Sequence, residues 1–411
     1  SSMPSLWMRA IAGASAATAR RVVTSAMSAA YRQLNTSSHD ATGGTMAHDL
    51  GATEIAGGRT MAPQRADPST DAAVIDRWHG RRVLVIGDIV ADEQVYGRPL
   101  RIAREAPVLV LEHVGAAIDP GGATNVAANL AAMGASVQLA GVIGDDATGR
   151  ALVDNLAARG IDVSGVVVDP SRSTTTKTRV WAAGAQQQAR QMVVRLDRLD
   201  NRPLGPESVA TIVAHVSHAL AAVEGTAPID AVVISDYENG VIHPDVIAAC
   251  LPVATARGIP VVVDAHGGLD RFRGATIFTP NQPEAEAELG RTLTTDDDVE
   301  AGARELLDRL DAAAILITRG QQGMTLVVRN VDGDGTIHVP APTMAAVDPT
   351  GAGDTVAAAF TLAWVSGANP ADAARLATAG ASVAVAHAGT VAVTAAEMRA
   401  AISALIAPLG K

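Results

Sequence analysis

Cysteine, lysine and aromatic residues are scarce in this chain. Among 411 residues there is one cysteine, Cys250. A single thiol excludes a disulfide framework and any zinc site built on cysteine pairs; it fits a reducing compartment, where it serves as core filler. Lysine is confined to Lys177 and Lys411, so nearly all of the 32 basic residues are arginine. A G-x-x-x-x-G-K-[ST] phosphate loop therefore has no lysine to use, because Lys177 follows Thr176 and Lys411 ends the chain. Aromatics make up 2% of the residues. Basic charge is in deficit, 32 against 43 acidic residues for a net of -11, and a nucleic-acid partner would want a basic face. No apolar run approaches the ~18 residues of a membrane span. What is plentiful is aliphatic: 48% of the chain is apolar, enough at this length for a large core without staples.

Composition changes along the chain. Residues 1–39 carry Arg9, Arg20, Arg21 and Arg32 and no acid, and a Gly/Thr/Ala/Pro-rich run follows over 41–70. Such sequence buries too little apolar surface to offset its ordering entropy. Residues 1–79 are therefore expected to be a disordered or targeting-like extension, an organelle transit peptide or translation upstream of the true start. Without organelle targeting, a cytoplasmic location is expected.

From residue 80 onward, β-branched runs alternate with Ala-rich stretches. The pattern predicts strands at 83–86, 137–143, 231–234, 260–263, 276–278 and 314–317, with helices at 123–133, 149–159, 206–223, 244–256 and 299–310. Alternation of this kind makes a mostly parallel sheet with helices on both faces. Residues 95–114 and 174–196 instead alternate apolar and polar, as half-exposed strands do, and predict a small separate β-sheet. After Gly351 the pattern is helical, at 355–365, 370–388 and 395–406.

The sharpest motif is Asp348-Pro349-Thr350-Gly351-Ala352-Gly353-Asp354-Thr355, set at the start of an Ala-rich helix. Two glycines allow successive N–H groups to point one way at a helix N-terminus, which attracts anions. Asp354 has the wrong sign for a phosphate ligand but suits a base that takes a proton from a hydroxyl. A plainer reading makes Asp354 a helix cap and the glycines a turn. A second cluster joins Gly87-Asp88, Asp92 and Gly121-Gly122-Ala123-Thr124-Asn125, which at strand ends can bind sugar hydroxyls or merely form a turn and a cap. The Gly351 loop lacks the third glycine of G-x-G-x-x-G, and H-R-D, G-x-S-x-G and H-E-x-x-H are all missing.

Gly121-Gly122-x-x-Asn125 early and Asp348-x-x-Gly351-Ala352-Gly353-Asp354 late are similar to the two signatures of the ribokinase-like (PfkB) carbohydrate kinases. Thr279-Pro280-Asn281-x-x-Glu284 resembles that family's N-x-x-E segment, and Thr318-Arg319-Gly320-x-x-Gly323 its nucleotide loop. Within the family, Gly87–Asp92, Tyr96-Gly97, Arg101-Ile102, Thr176–Arg179, Arg195–Asp197 and Ser235-Asp236-Tyr237 resemble the kinase domain acting on D-glycero-D-manno-heptose 7-phosphate.

The resemblance implies a ribokinase-like α/β domain over 80–411, with a lid near 93–114 and 173–197 that many members use to form homodimers. It implies ATP and Mg2+ as cofactors, with K+ as a further expectation. Asp354 would be the base, with Gly351, Ala352 and Gly353 in the anion hole. Asp88, Asp92, Gly121, Gly122 and Asn125 would hold the sugar. Lys177 and Arg101, with Arg104 and Arg179, are candidate cations for an acceptor's phosphate. Asn281, Glu284, Thr318, Gly320, Gly323 and Thr350 would lie at the nucleotide, Glu284 acting on Mg2+ indirectly and Asp348 on a monovalent cation. The partner is a small sugar or sugar phosphate, with no nucleic acid or membrane. No H-x-G-H of a fused nucleotidyltransferase is present, which predicts a single kinase domain. A kinase of a neutral sugar or a keto-deoxy sugar acid, and a catalytically silent sensor on the same fold, stay open as other readings.

Overall fold

The computed structural model describes residues 68–183, 190–221, 227–329, 335–342 and 347–406. Residues 1–67, most of the expected N-terminal extension, lie outside the described residues, as do the last two residues of the helix expected at 206–223.

A nine-stranded sheet runs in the order β13-β12-β11-β10-β9-β8-β1-β4-β5. Its members are β1 (Arg82–Gly87), β4 (Ser136–Gly144), β5 (Asp162–Asp169), β8 (Ala231–Asp236), β9 (Val261–Ala265), β10 (Ile277–Phe278), β11 (Ala314–Thr318), β12 (Met324–Val328) and β13 (Gly335–Val339). Pairing is parallel from β5 through β11; β12 and β13 add an antiparallel edge. The sequence reading missed β5, β12 and β13, which are short or carry the mixed polarity of sheet edges.

Strand alternation divides the core in two. Val83, Val85, Leu139, Val233 and Leu316 face one side, under α2 (Ala123–Ala132), α3 (Ala147–Ala158), α8 (Ala352–Val365), α9 (Pro370–Val385) and α10 (Ala395–Ile406). Leu84, Ile86, Val232, Ile234 and Ile315 face the other, under α4 (Pro206–Ala219), α5 (Pro244–Ala256), α6 (Gln282–Leu289) and α7 (Asp296–Arg309). With both faces covered, the strands read as unbroken aliphatic runs, and each fully buried branched side chain contributes ~1.5–3 kcal/mol. Cys250 is buried in the second core, as a filler would be.

The expected boundary at residue 80 falls too late. Helix α1 (Pro68–Asp76) belongs to this body: Asp71, 0% exposed, accepts from Arg375 at 3.0 and 2.7 Å, and Trp78 is wholly buried. Pro68-Ser-Thr-Asp merges with the polar run before it, which hid the helix start from a compositional reading.

The second sheet is separate, as the alternating segments implied. It runs β3-β2-β6-β7, from β2 (Ile89–Ile102), β3 (Leu109–Gly122), β6 (Thr176–Ala183) and β7 (Arg190–Arg198). Its strands are longer than expected: β2 leaves the main sheet two residues after β1, and β3 runs on to Gly122, delivering the chain to the start of α2. The strands of this sheet expose Leu100, Ile102, Val114 and Leu196. Among the described residues, no helix is long and apolar enough to cross a membrane.

Candidate active site

In a parallel sheet the carboxyl ends of the strands all open at one edge, where ligands bind. Here that edge gathers Asp88 after β1, Asp236 and Tyr237 at β8, Asp264 and His266 at β9, Asn281 after β10, and Thr318 and Gly320 at β11. Helix α8 brings Asp354 to the same place and α2 brings Asn125.

The early and late motifs meet directly. Asn125 Nδ2 donates to Asp354 Oδ2 at 2.7 Å, across 229 residues of sequence. Gly351 stands at φ +77 with its Cα against the Asn125 amide; a Cβ there would lie 2.6 Å from Nδ2, so glycine is required both by conformation and by space. Gly122 is constrained alike, at φ +57 with a Cβ only 2.7 Å from the Asp88 carbonyl oxygen. Gly121 packs over Val90.

Asp354 is no helix cap. Gly351 is the cap residue of α8 and makes no side-chain cap bond, while Asp354 sits two residues into the helix at 3% exposure. Burial pushes its carboxyl up to about 6, against the pull of two donors, Asn125 and the Tyr237 hydroxyl, which bonds Oδ1 at 2.8 Å. Such a group is ionised at neutral pH and close enough to it to accept and return a proton. The Ala352 N–H turns back to Pro349 O at 3.2 Å, which leaves Gly353 and Asp354 N–H at the anion-attracting end of the helix. Open space lies over Gly353, where a Cβ would meet nothing within 4 Å.

Asn125 is itself held. Asn129, one turn on and fully buried, donates to the Asn125 carbonyl at 2.9 Å and to its Oδ1 at 3.2 Å, and accepts from Val393 N at 2.9 Å. With Oδ1 so occupied, the Asn125 NH2 must face Asp354.

Several expected ligands have other tasks. Asp88 accepts from the backbone amides of Tyr237, Asn239 and Val241 at 2.7, 3.0 and 3.2 Å and so anchors the loop after β8; burial pushes it up to about 6. Asp92 is ion-paired with Arg179 and also bonded to Gln94 at 3.0 Å, so Arg179 neutralises a buried acid and is not free for a phosphate. Arg101 and Arg104 are exposed, Arg101 lying nine residues along β2 from Asp92, past two irregularities in the pairing with β3. Lys177 comes to the centre instead, its Nζ 5.4 Å from the centroid of the Tyr237 ring.

On the other wall, Asn281 and Glu284 form a capping box on α6: Asn281 accepts from Glu284 N at 2.9 Å and Glu284 Oε2 from Asn281 N at 2.8 Å. The remaining Glu284 oxygen meets His266 Nδ1 at 2.7 Å, and this bond holds the imidazole above its ordinary value. Asp264 beside it is pushed up to about 7, first by burial and then by the Asp354 and Glu284 charges. Thr318 donates its N–H to Pro280 O at 3.0 Å, and Gly320 and Gly323 shape the turn that follows, both at positive φ. Asp348 spends its oxygens on Thr350 N and Oγ1 at 2.9 and 2.6 Å and on Gly389 N at 3.0 Å. Against the effect of burial, these donors hold it below the usual carboxylate range, and it ties two loops together. A cavity of about 330 Å3 opens beside Asn125, walled by Asp119, Arg159, His387 and Thr390.

Sequence reasoning left Tyr237, Asp264, His266 and Asn129 without a role. The first three follow a β-run directly, and the carboxyl-end rule for parallel strands would have found them. Asn129 carries a weaker signal, one helical turn from Asn125.

The model of the pfkB family of carbohydrate kinases matches residues 81–396. Among curated proteins, the bifunctional protein HldE of Geobacter metallireducens is 42% identical over 323 residues, covering 78% of this chain and 63% of that protein. HldE of Geobacter sulfurreducens is 40% identical, over 77% of this chain and 61% of its own length. The chain thus spans about three-fifths of the length of these relatives. Among solved structures, phosphofructokinase-2 from Escherichia coli in complex with substrates and products superposes with a TM-score of 0.64 at 22% identity, covering 79% of this chain and 99% of that one. Arabidopsis thaliana ribokinase complexed with ribose and ATP gives 0.57 at 20%, over 80% and 99%.

Proposed function

The chain belongs to the pfkB family of carbohydrate kinases, and from that premise we propose that it moves the γ-phosphoryl group of ATP to O1 of D-glycero-D-manno-heptose 7-phosphate, forming the 1,7-bisphosphate. The observation that carries the reading is the Asn125–Asp354 contact, which makes one pocket of the two sugar-kinase signatures. Asp354 takes the proton of the attacking hydroxyl, and Asn125 and Tyr237 keep its carboxylate ionised and aimed. The Gly353 and Asp354 amides receive the charge of the transferring phosphoryl group at the positive end of α8.

Mg2+ fits the residues present. Among the described residues no cluster of three or more His, Cys, Asp or Glu could hold a metal alone. Magnesium in phosphoryl transfer needs only one or two carboxylates, with substrate phosphates and water completing its shell. Glu284 and Asp264 are the acids at that wall, and the ion when bound would neutralise phosphate charge. Asn281, Thr318, Gly320 and Gly323 lie on the wall assigned to the nucleotide. A monovalent cation at Asp348 would have to share oxygens that already accept from Thr350 and Gly389.

The acceptor assignment draws on the HldE relatives and on Arg159 in the cavity beside Asn125, a cation that suits an anionic acceptor. The number of exposed aliphatic side chains on the lid strands supports a homodimer formed there, since single exposures are ordinary but many in one small sheet are not. A coupled ADP-release assay over heptose 7-phosphate, fructose, ribose, fructose 6-phosphate and a keto-deoxy sugar acid tests the acceptor. Turnover tens of times faster on a neutral sugar would overturn the heptose-phosphate assignment, and no ADP release on any sugar would overturn the kinase chemistry.

A further inference from the structure

Resting on the reading of Asp354 as the base, we infer that Lys177 and Tyr237 form a positioning pair through which the lid aims that base. Tyr237 is held from several directions. Its backbone N–H is fixed on Asp88 Oδ2 at 2.7 Å, and the His266 ring meets it edge-on with centroids 4.4 Å apart and planes at 76°. The Lys177 ammonium lies over its ring, 5.4 Å from the centroid, within the ~6 Å at which a cation is attracted to an aromatic face. The ring has one hydroxyl to place, and it places it 2.8 Å from Asp354 Oδ1.

With Asn125 on Oδ2, the carboxylate is gripped from both sides, so its orientation follows the angle of the Tyr237 ring. Of the groups that hold this arrangement, Asp88, His266 and Asn125 stand on the main sheet or the start of α2. Lys177 alone comes from the lid sheet, on β6, where it pairs in register with Asp92 of β2. Its charge acts on Asp354 and His266, and Asp354, Asp264 and Glu284 act on the Tyr237 ring it covers, so an ammonium here faces the reaction centre. Movement of the lid withdraws the cation from the Tyr237 face and leaves the other holders in place. Lid position and base orientation are thereby coupled.

The test is a double-mutant cycle with a conservative rescue. Lys177→Met keeps the length of the side chain and removes the cation; kcat should fall ~3–30-fold with KM for the acceptor nearly unchanged. In a Tyr237→Phe background, which has no hydroxyl to aim, the same change should alter kcat by less than ~2-fold. Lys177→Arg should restore most of the loss. An acceptor KM that rises while kcat stays level would make Lys177 a substrate ligand, and effects that multiply independently would separate it from Tyr237; either result overturns the inference.

A second readout does not depend on turnover. The chain has 3 tyrosines, so fluorotyrosine labelling gives a simple NMR spectrum in which Tyr237→Phe identifies one resonance. Lys177→Met should move that resonance and Lys177→Arg should leave it near its place. A resonance that ignores the loss of the cation overturns the inference. Wild-type protein that phosphorylates no acceptor counts against the kinase reading, and the resonance test stands apart from it.

Discussion

Asp354 works against the fold, and the cost can be measured. Burial raises its carboxyl from 3.8 to about 6. The folded state therefore binds the proton more tightly than the unfolded chain does. Stability associated with this group is fully present below about 3.8, declines as pH rises toward 6, and is gone above it. At ~1.4 kcal/mol per pKa unit, the folded protein at pH 8 is ~3 kcal/mol less stable than it would be with a group that never ionises. Asp354→Asn is such a group. It brings a fixed penalty of its own, because Asn129 holds the Asn125 NH2 toward position 354, and one of the two new amide NH2 orientations opposes it. That penalty does not depend on pH, so it cancels when the difference between variant and wild type is compared at two pH values. Urea unfolding followed by circular dichroism should show the difference shifting in favour of the variant by ~2–3 kcal/mol between pH 4 and pH 8. In the same variant kcat should drop ~10²–10⁴-fold, while wild-type kcat rises with pH through about 6. A stability difference that is flat with pH, or an active variant, would refute the claim that a buried carboxylate is kept ionised here for proton transfer.

Other expectations follow from the same geometry. Arg179→Met strands the Asp92 carboxylate at 2% exposure and should destabilise the protein by ~3–5 kcal/mol, most of it regained when Asp92→Asn is added; unfolding midpoints of the single and double variants decide this. Arg375→Ala leaves Asp71 buried without its partner and should cost ~3 kcal/mol or more in urea while KM for ATP stays level, since α1 holds the body together away from the strand ends. Asn129→Asp removes the donor that orients Asn125 and adds negative charge near the base, so the acidic limb of the kcat profile should move above pH 6, to be read from rates across pH 5–9.

Much of the architecture was legible because hydrophobic period and strand length are local. The aliphatic runs that became β1, β4, β8, β9 and β11 read as doubly covered strands, and the alternating lid segments announced a second sheet, although β7 is exposed on both faces from Gln191 to Arg198. Helix α1 and the antiparallel strands β12 and β13 were not legible: α1 is held by a distant partner, Arg375 on Asp71, and β12 follows β11 with no helix between, outside the alternation that marked the other strands. The two glycine-bearing motifs were readable as loops that favour anions and sugars, because backbone conformation at Gly122 and Gly351 is written in the residue type.

What no reading of the linear chain could supply is which polar groups are already spent. Asp88, Asp92 and Asp348 look like open carboxylates in sequence and are occupied in the fold, by three backbone amides, by Arg179, and by Thr350 with Gly389. Lys177 and Arg101 look alike as lid cations, yet one is half-buried over Tyr237 and the other is exposed. Residue type determined that this chain would carry a phosphate-friendly helix end and an acid beside it. Only burial and contact across 229 residues decided that Asp354 is held at about 6 against the Asn125 amide, because desolvation and hydrogen-bond donors act through space and leave no trace in local sequence.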